Sequence, residues 1–131
     1  MEAPKIFWHA GWLYVCRQRK NMNKVIGKKE FANEVASSTT LSLVHFKTEW
    51  NGASQIVSMM YEDLANSYGG VANFFTVDME TEKVLAKEFG VSEIPAILFF
   101  RNGEVIDHAK GLIPKNALIS KIEIALTSTK S

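Results

Sequence analysis

Residues 96–110 read AILFFRNGEVIDHAK. Ala96–Arg101 is a strongly apolar run suited to a strand, and Asn102-Gly103 is a strong two-residue hairpin signal, because a type I′ turn wants positive φ at both central positions. Glu104–Lys110 then returns as the antiparallel partner. Downstream, Pro114 suits the first turn of a last helix whose apolar stripe is Leu118, Ile119, Ile122 and Leu126. Upstream, Thr81–Phe89 predicts a short helix with Val84, Leu85 and Phe89 on one stripe, stopped by Gly90. Val71–Val77 predicts a strand with Asp78 as its polar end. Ser54–Tyr68 carries Ile56, Val57, Met60, Leu64 and Tyr68 at helical spacing, and Gly69-Gly70 ends it. Leu41–Phe46 suits a buried strand, after a helix over Lys28–Ser37 with Phe31, Ala32, Val35 and Ala36 on one face. A first strand falls at Asn23–Gly27.

The resulting order is β-α-β-α-β-α-β-β-α. Strands alternating with helices imply a parallel section closed by right-handed crossovers, and the terminal hairpin adds an antiparallel edge. The expected class is α/β: three layers, α/β/α, with a mixed central sheet and helices on both faces.

Composition fits one compact domain. The 131 residues are 47% hydrophobic and 22% charged, ordinary globular usage that excludes a disordered, collagen-like or coiled-coil chain. The net charge of +1 points to no nucleic-acid partner. The single cysteine, Cys16, excludes an intramolecular disulfide and any two-thiol chemistry within one chain. His9 and His108 have no companions at metal-ligand spacing, so neither metal nor cofactor is expected.

Charge is unevenly placed. Through Lys29 there are seven basic residues against Glu2, and from Glu30 onward eight basic against thirteen acidic. Met22-Asn23-Lys24-Val25-Ile26 reads as a natural start, so residues 1–21 are expected to be an extension outside a domain spanning 22–131. Within it, Ile6–Cys16 is an apolar run too short to cross a bilayer, which needs about 20 apolar residues. It is also a poor secretory signal, because the basic cluster RQRK follows the run. Residues 6–20 would suit a reversible contact with a membrane surface through Trp8, Trp12 and Tyr14, a reading set below that of a simple extension. The default location is cytoplasmic.

Three segments in order resemble the thioredoxin family. Leu43–Ser54, LVHFKTEWNGAS, is similar to the strand, loop and helix start that carry Trp-Cys-Gly-Pro-Cys in thioredoxins. Phe89–Pro95, FGVSEIP, resembles the segment that ends in the family's cis-proline. Phe99–Val105 matches its Phe-x-Asn-Gly-Glu hairpin, and Gly111 falls where the family keeps a glycine. The resemblance covers about Asn23–Leu126.

The departures concern chemistry. Where the resemblance implies two cysteines this chain has Asn51 and Ser54, and the motif proline is Ala53. A thiolate must attack the substrate disulfide and a second thiol must resolve the mixed disulfide. Neither an amide nor a hydroxyl does this, so no catalytic residue is assigned. At the position where the resemblance implies a buried acid stands His45, with Lys47 in place of an aromatic two residues on. Cys16 alone could at most form a mixed disulfide.

Asn51 and Ser54 could make an anion-binding spot at a helix N-terminus, or one of them could simply cap the helix, which is the preferred reading. His45 could titrate as a buried pH-sensitive group, against the commoner role of a hydrogen-bonded core or edge residue. Glu62-Asp63 and Glu80/Glu82 read as solvated helix faces. Trp50, Ile94, Pro95, Gly111 and Leu112 are retained in type and at the spacing the resemblance implies, and Gly52 and Ala53 complete the expected peptide-binding set. They predict an exposed, mostly apolar groove with free backbone groups, suited to pairing with an extended peptide segment of a protein partner. The leading expectation is a redox-inactive, non-covalent peptide- or protein-binding module. The alternatives are a thiol-disulfide or glutathione-linked role in redox homeostasis by a non-standard mechanism, and a structural subunit whose groove another chain covers. Partner identity and oligomeric state stay open.

Overall fold

The computed structural model describes residues 23–127. Residues 1–21, expected from the sequence to be an extension, with Cys16 and the apolar-basic run 6–20, lie outside the described residues, as do residue 22 and residues 128–131.

Five strands form one sheet in the order β1-β3-β2-β4-β5, with β1 Asn23–Val25, β2 Ser42–Lys47, β3 Asn73–Asp78, β4 Ala96–Arg101 and β5 Glu104–Lys110. The β1–β3 and β2–β3 pairs are parallel, and β2–β4 and β4–β5 antiparallel. This is the mixed sheet the element order implies. Four helical segments complete it: α1, Lys28–Glu30 widening into a π turn over Phe31–Val35; α2, Gly52–Tyr68; α3, Lys83–Glu88; and α4, Lys115–Thr127.

The three central strands are buried on both faces, which is why they read as continuous apolar runs. Alternate side chains feed two cores. Leu43, Phe74, Ile97 and Phe99 pack with Val57, Tyr61 and Leu64 of α2 and Leu118 and Ile122 of α4. Val44, Phe46, Phe75, Leu98 and Phe100 pack on the other face with Phe31 and Val35 of α1 and Leu85 of α3.

Several boundaries move, each for a local reason. α2 starts two residues before the expected Ser54, because the Asn51 side chain caps it. α3 is shorter than Thr81–Phe89, since the Thr81 and Glu82 N–H groups turn back onto the Asp78 carbonyl at 3.2 and 2.9 Å. Its buried residues are Leu85 and Ala86, and Val84 faces solvent. β3 starts at Asn73, with Val71 and Ala72 spent on the turn after α2. Pro114 lies just before α4, accepting the Leu118 N–H at 3.1 Å.

On α2 the buried stripe is Ser54, Val57, Tyr61, Leu64 and Ala65, while Ile56 is exposed. The Tyr61 hydroxyl accepts the Phe75 N–H at 3.1 Å and lies 2.8 Å from the Leu43 carbonyl and 2.7 Å from that of Phe75, to one of which it donates. It therefore sits against the ladder between β2 and β3. The hairpin is equally constrained. Asn102 and Gly103 both have positive φ (56° and 79°), and a Cβ on Gly103 would meet the Ala36 carbonyl oxygen at 2.7 Å.

Tyr61→Phe keeps the ring and removes the hydroxyl that serves a buried N–H. It should cost about 1–3 kcal/mol, read as a lower urea midpoint with an unchanged m-value.

Candidate functional site

The site is assembled at the C-terminal end of β2, where Lys47 leads through Thr48, Glu49 and Trp50 into α2. Asn51 is the N-cap: its backbone is extended and its Oδ1 accepts the Ser54 N–H at 2.9 Å. One of the helix's otherwise unpaired donors is thereby satisfied, which bears out capping rather than an open anion spot. Gln55 Nε2 donates to the Glu49 carbonyl at 3.0 Å and closes the turn from the other side.

Trp50 is 80% exposed. Its indole Nε1–H donates to Glu80 Oε2 at 2.8 Å, and the Glu80 N–H donates to Asp78 Oδ1, also at 2.8 Å. Glu80 is thus part of the site rather than a solvated helix face. No periodicity signals it, since it stands in a turn two residues past β3.

Ile94 is half-buried and Pro95 buried, with a cis peptide bond between them. The Pro95 carbonyl accepts the Gly111 N–H at 2.7 Å, and Gly111 has φ +76°. Pro95 is therefore buried beneath this surface rather than exposed on it. Among the described residues, neither the Ile94 N–H nor its carbonyl takes part in a hydrogen bond. Gly52 and Leu112 are exposed, and Ala53 and Gly111 half-buried. Among the described residues, no group of three or more His, Cys, Asp or Glu side chains could hold a metal ion, and no helix is long and apolar enough to cross a membrane.

The thioredoxin family model matches residues 22–124. The chain belongs to the thioredoxin family. It is 30% identical over 107 residues to the chloroplastic M-type thioredoxin of Pisum sativum, covering 82% of this chain and 62% of that protein. It is also 30% identical over 95 residues to a thioredoxin of Chlorobaculum thiosulfatiphilum, covering 72% of this chain and 88% of that one. The solved thioredoxin of Malassezia sympodialis superposes with a TM-score of 0.67 at 26% identity, over 79% of this chain and 87% of that one.

Within this thioredoxin fold, His45 lies on the face of β2 under α2, fully buried, its ring centroid 5.1 Å from that of Tyr61. Neither ring nitrogen has a hydrogen-bond partner among the described residues, and the same holds for the buried Oγ atoms of Ser54 and Ser58. His45 is therefore a core residue without the hydrogen bond such a residue commonly makes. Burial, and secondarily the Lys47 ammonium, lowers the imidazole pKa from 6.5 to about 4. Lys47 itself is half-buried and pairs with Glu49 at 3.2 Å.

A lowered histidine pKa means that the folded state holds fewer protons than the unfolded state between the two values. Stability from the neutral imidazole is complete above pH 6.5 and is lost as pH falls toward 4. Urea unfolding at pH 5 should give a free energy about 2 kcal/mol below that at pH 7, and His45→Leu should remove most of this difference. Asn51→Ala should cost about 1 kcal/mol by the same assay, with Asn51→Asp close to wild type.

Proposed function

We propose that this thioredoxin-family protein is a non-covalent binding module for an extended segment of a partner protein, with Asn51 and Ser54 standing where the family's reactive dithiol would be. The observations that carry this reading are an exposed Trp50 and an Ile94 backbone with no hydrogen bond among the described residues, on the segments that flank the adjoining ends of β2 and β4, where Phe46 faces Ala96. An extended peptide passing Ile94 would pair with its N–H and carbonyl as one more strand, and the indole would supply apolar contact beside it. Gly52 and Ala53 keep the approach low, and Pro95 and Gly111 brace the loop from beneath.

The chemistry of the motif supports the inactive half of the proposal. Asn51 Oδ1 is committed to the Ser54 N–H, and the Ser54 hydroxyl is buried, so neither side chain can act as a nucleophile on a disulfide. His45 is low-pKa and apolar-packed, unsuited to storing a proton at neutral pH. Localisation in the cytoplasm belongs to the same proposal. The second reading is a thiol-disulfide or glutathione-linked role, favoured by the relatives' names, which are those of thioredoxins. In this chain it would have to draw its thiol from Cys16 or from a co-substrate.

Two measurements separate the readings. Dithiothreitol-driven insulin reduction should stay at background for the wild type and rise at least tenfold on installing Asn51→Cys, Ala53→Pro and Ser54→Cys together. Wild-type turnover that persists in Cys16→Ser would overturn the proposal. A partner recovered with wild type and lost with Trp50→Ala/Ile94→Glu, while both retain the same circular dichroism, is the expected outcome for binding. Equal recovery would refute use of this surface.

A further inference from the structure

We infer that the indole of Trp50 and the carboxylate of Glu80 together form a receptor for an arginine side chain of the bound segment; this rests on the binding reading above and names the chemistry of the partner. The pair is a fixed unit. Glu80 Oε2 accepts the indole Nε1–H at 2.8 Å, and the Glu80 backbone is held by Asp78 Oδ1 at 2.8 Å. The carboxylate therefore lies at the edge of the ring, and the ring, 80% exposed, has open area for stacking.

An indole face attracts cations through its quadrupole, and tryptophan is the strongest of the aromatic side chains in this respect. A carboxylate accepting the N–H adds negative potential to the same ring. A planar guanidinium stacked on the indole can turn one edge toward Glu80, satisfying both attractions at once. A lysine ammonium, as a compact point charge, meets one of them well.

The other charges around the indole favour the same occupant. Glu49, the preceding residue, is acidic, and Lys47, the cation beside it, is paired to Glu49 at 3.2 Å. Glu93, exposed, immediately precedes Ile94. With Glu49 offset by Lys47, the carboxylates of Glu80 and Glu93 leave an acidic balance that disfavours an acidic segment and steers a basic one in, most strongly at low salt. The receptor and the Ile94 backbone would read the same segment, one through a side chain and the other through its main chain.

The test uses the full chain and three capped tripeptides, acetyl-Ala-X-Ala-amide with X arginine, citrulline or lysine, followed by ¹⁵N–¹H shifts of the Trp50 indole and the Ile94 amide. The arginine peptide should move both signals and bind roughly three- to tenfold more tightly than its uncharged citrulline isostere. Glu80→Gln keeps an acceptor for the indole N–H and should bring the arginine peptide to the citrulline level. Equal binding of arginine and citrulline peptides, with the Ile94 amide still shifting, would overturn the receptor and leave the groove standing. Lysine matching arginine would overturn the choice of guanidinium. No shift at Ile94 with any of the three peptides would overturn the groove reading and the receptor with it.

Discussion

The hydroxyl of Tyr61 meets the N–H of Phe75 and the carbonyls of Leu43 and Phe75 in the dry interior between α2 and the sheet. Burial raises its pKa well above the ordinary tyrosine value, so it stays a protonated donor. A buried hydroxyl without partners would be costly, and a hydroxyl in this place has partners only if α2 lies in one rotation and one position along β2 and β3. That constraint propagates. With Tyr61 seated, Val57 and Ser54 face the sheet one and two turns earlier, and Asn51 comes to the end of the helix, where its amide closes the cap. The loop that presents Trp50 is then fixed between the end of β2 and that cap.

The same geometry accounts for the state of His45. Its ring lies 5.1 Å from that of Tyr61 and its nitrogens have no partner among the described residues, so it is held in an environment that favours the uncharged form. Lys47, Glu49 and Glu80 carry charge at the rim, whereas His45 beneath the helix is kept neutral by burial. At neutral pH the imidazole under the helix therefore carries no charge.

Much of the fold was legible because its signals are local. The positive φ angles at Asn102-Gly103, the stop at Gly69-Gly70 and the apolar runs of β2, β3 and β4 are each dictated by backbone sterics or by burial on two faces. The stripe of α2 was legible in principle: Val57, Tyr61 and Leu64 repeat at four and three residues, but Ile56 and Met60 offer a competing apolar track, and hydropathy ranks them above a tyrosine. The track that wins is the one whose polar atom finds partners in the sheet ladder. Val84 on α3 is a similar case, where an apolar residue at helical spacing was left outside because Leu85 and Ala86 already cover that part of the sheet.

Sequence by itself determined the order of strands and helices, the hairpin, the segments around Trp50 and Ile94-Pro95 and the presence of Asn51, Ser54 and His45 at their positions, since all of these follow from residue identity and short-range spacing. Only the tertiary structure decided that Pro95 would be buried rather than exposed, that the His45 nitrogens would go unpaired, and that Glu80, thirty residues from Trp50, would take its indole proton. The physical reason is common to the three. Burial and side-chain hydrogen bonds between distant segments depend on how strands register and helices rotate, and those are settled by the packing of the whole core.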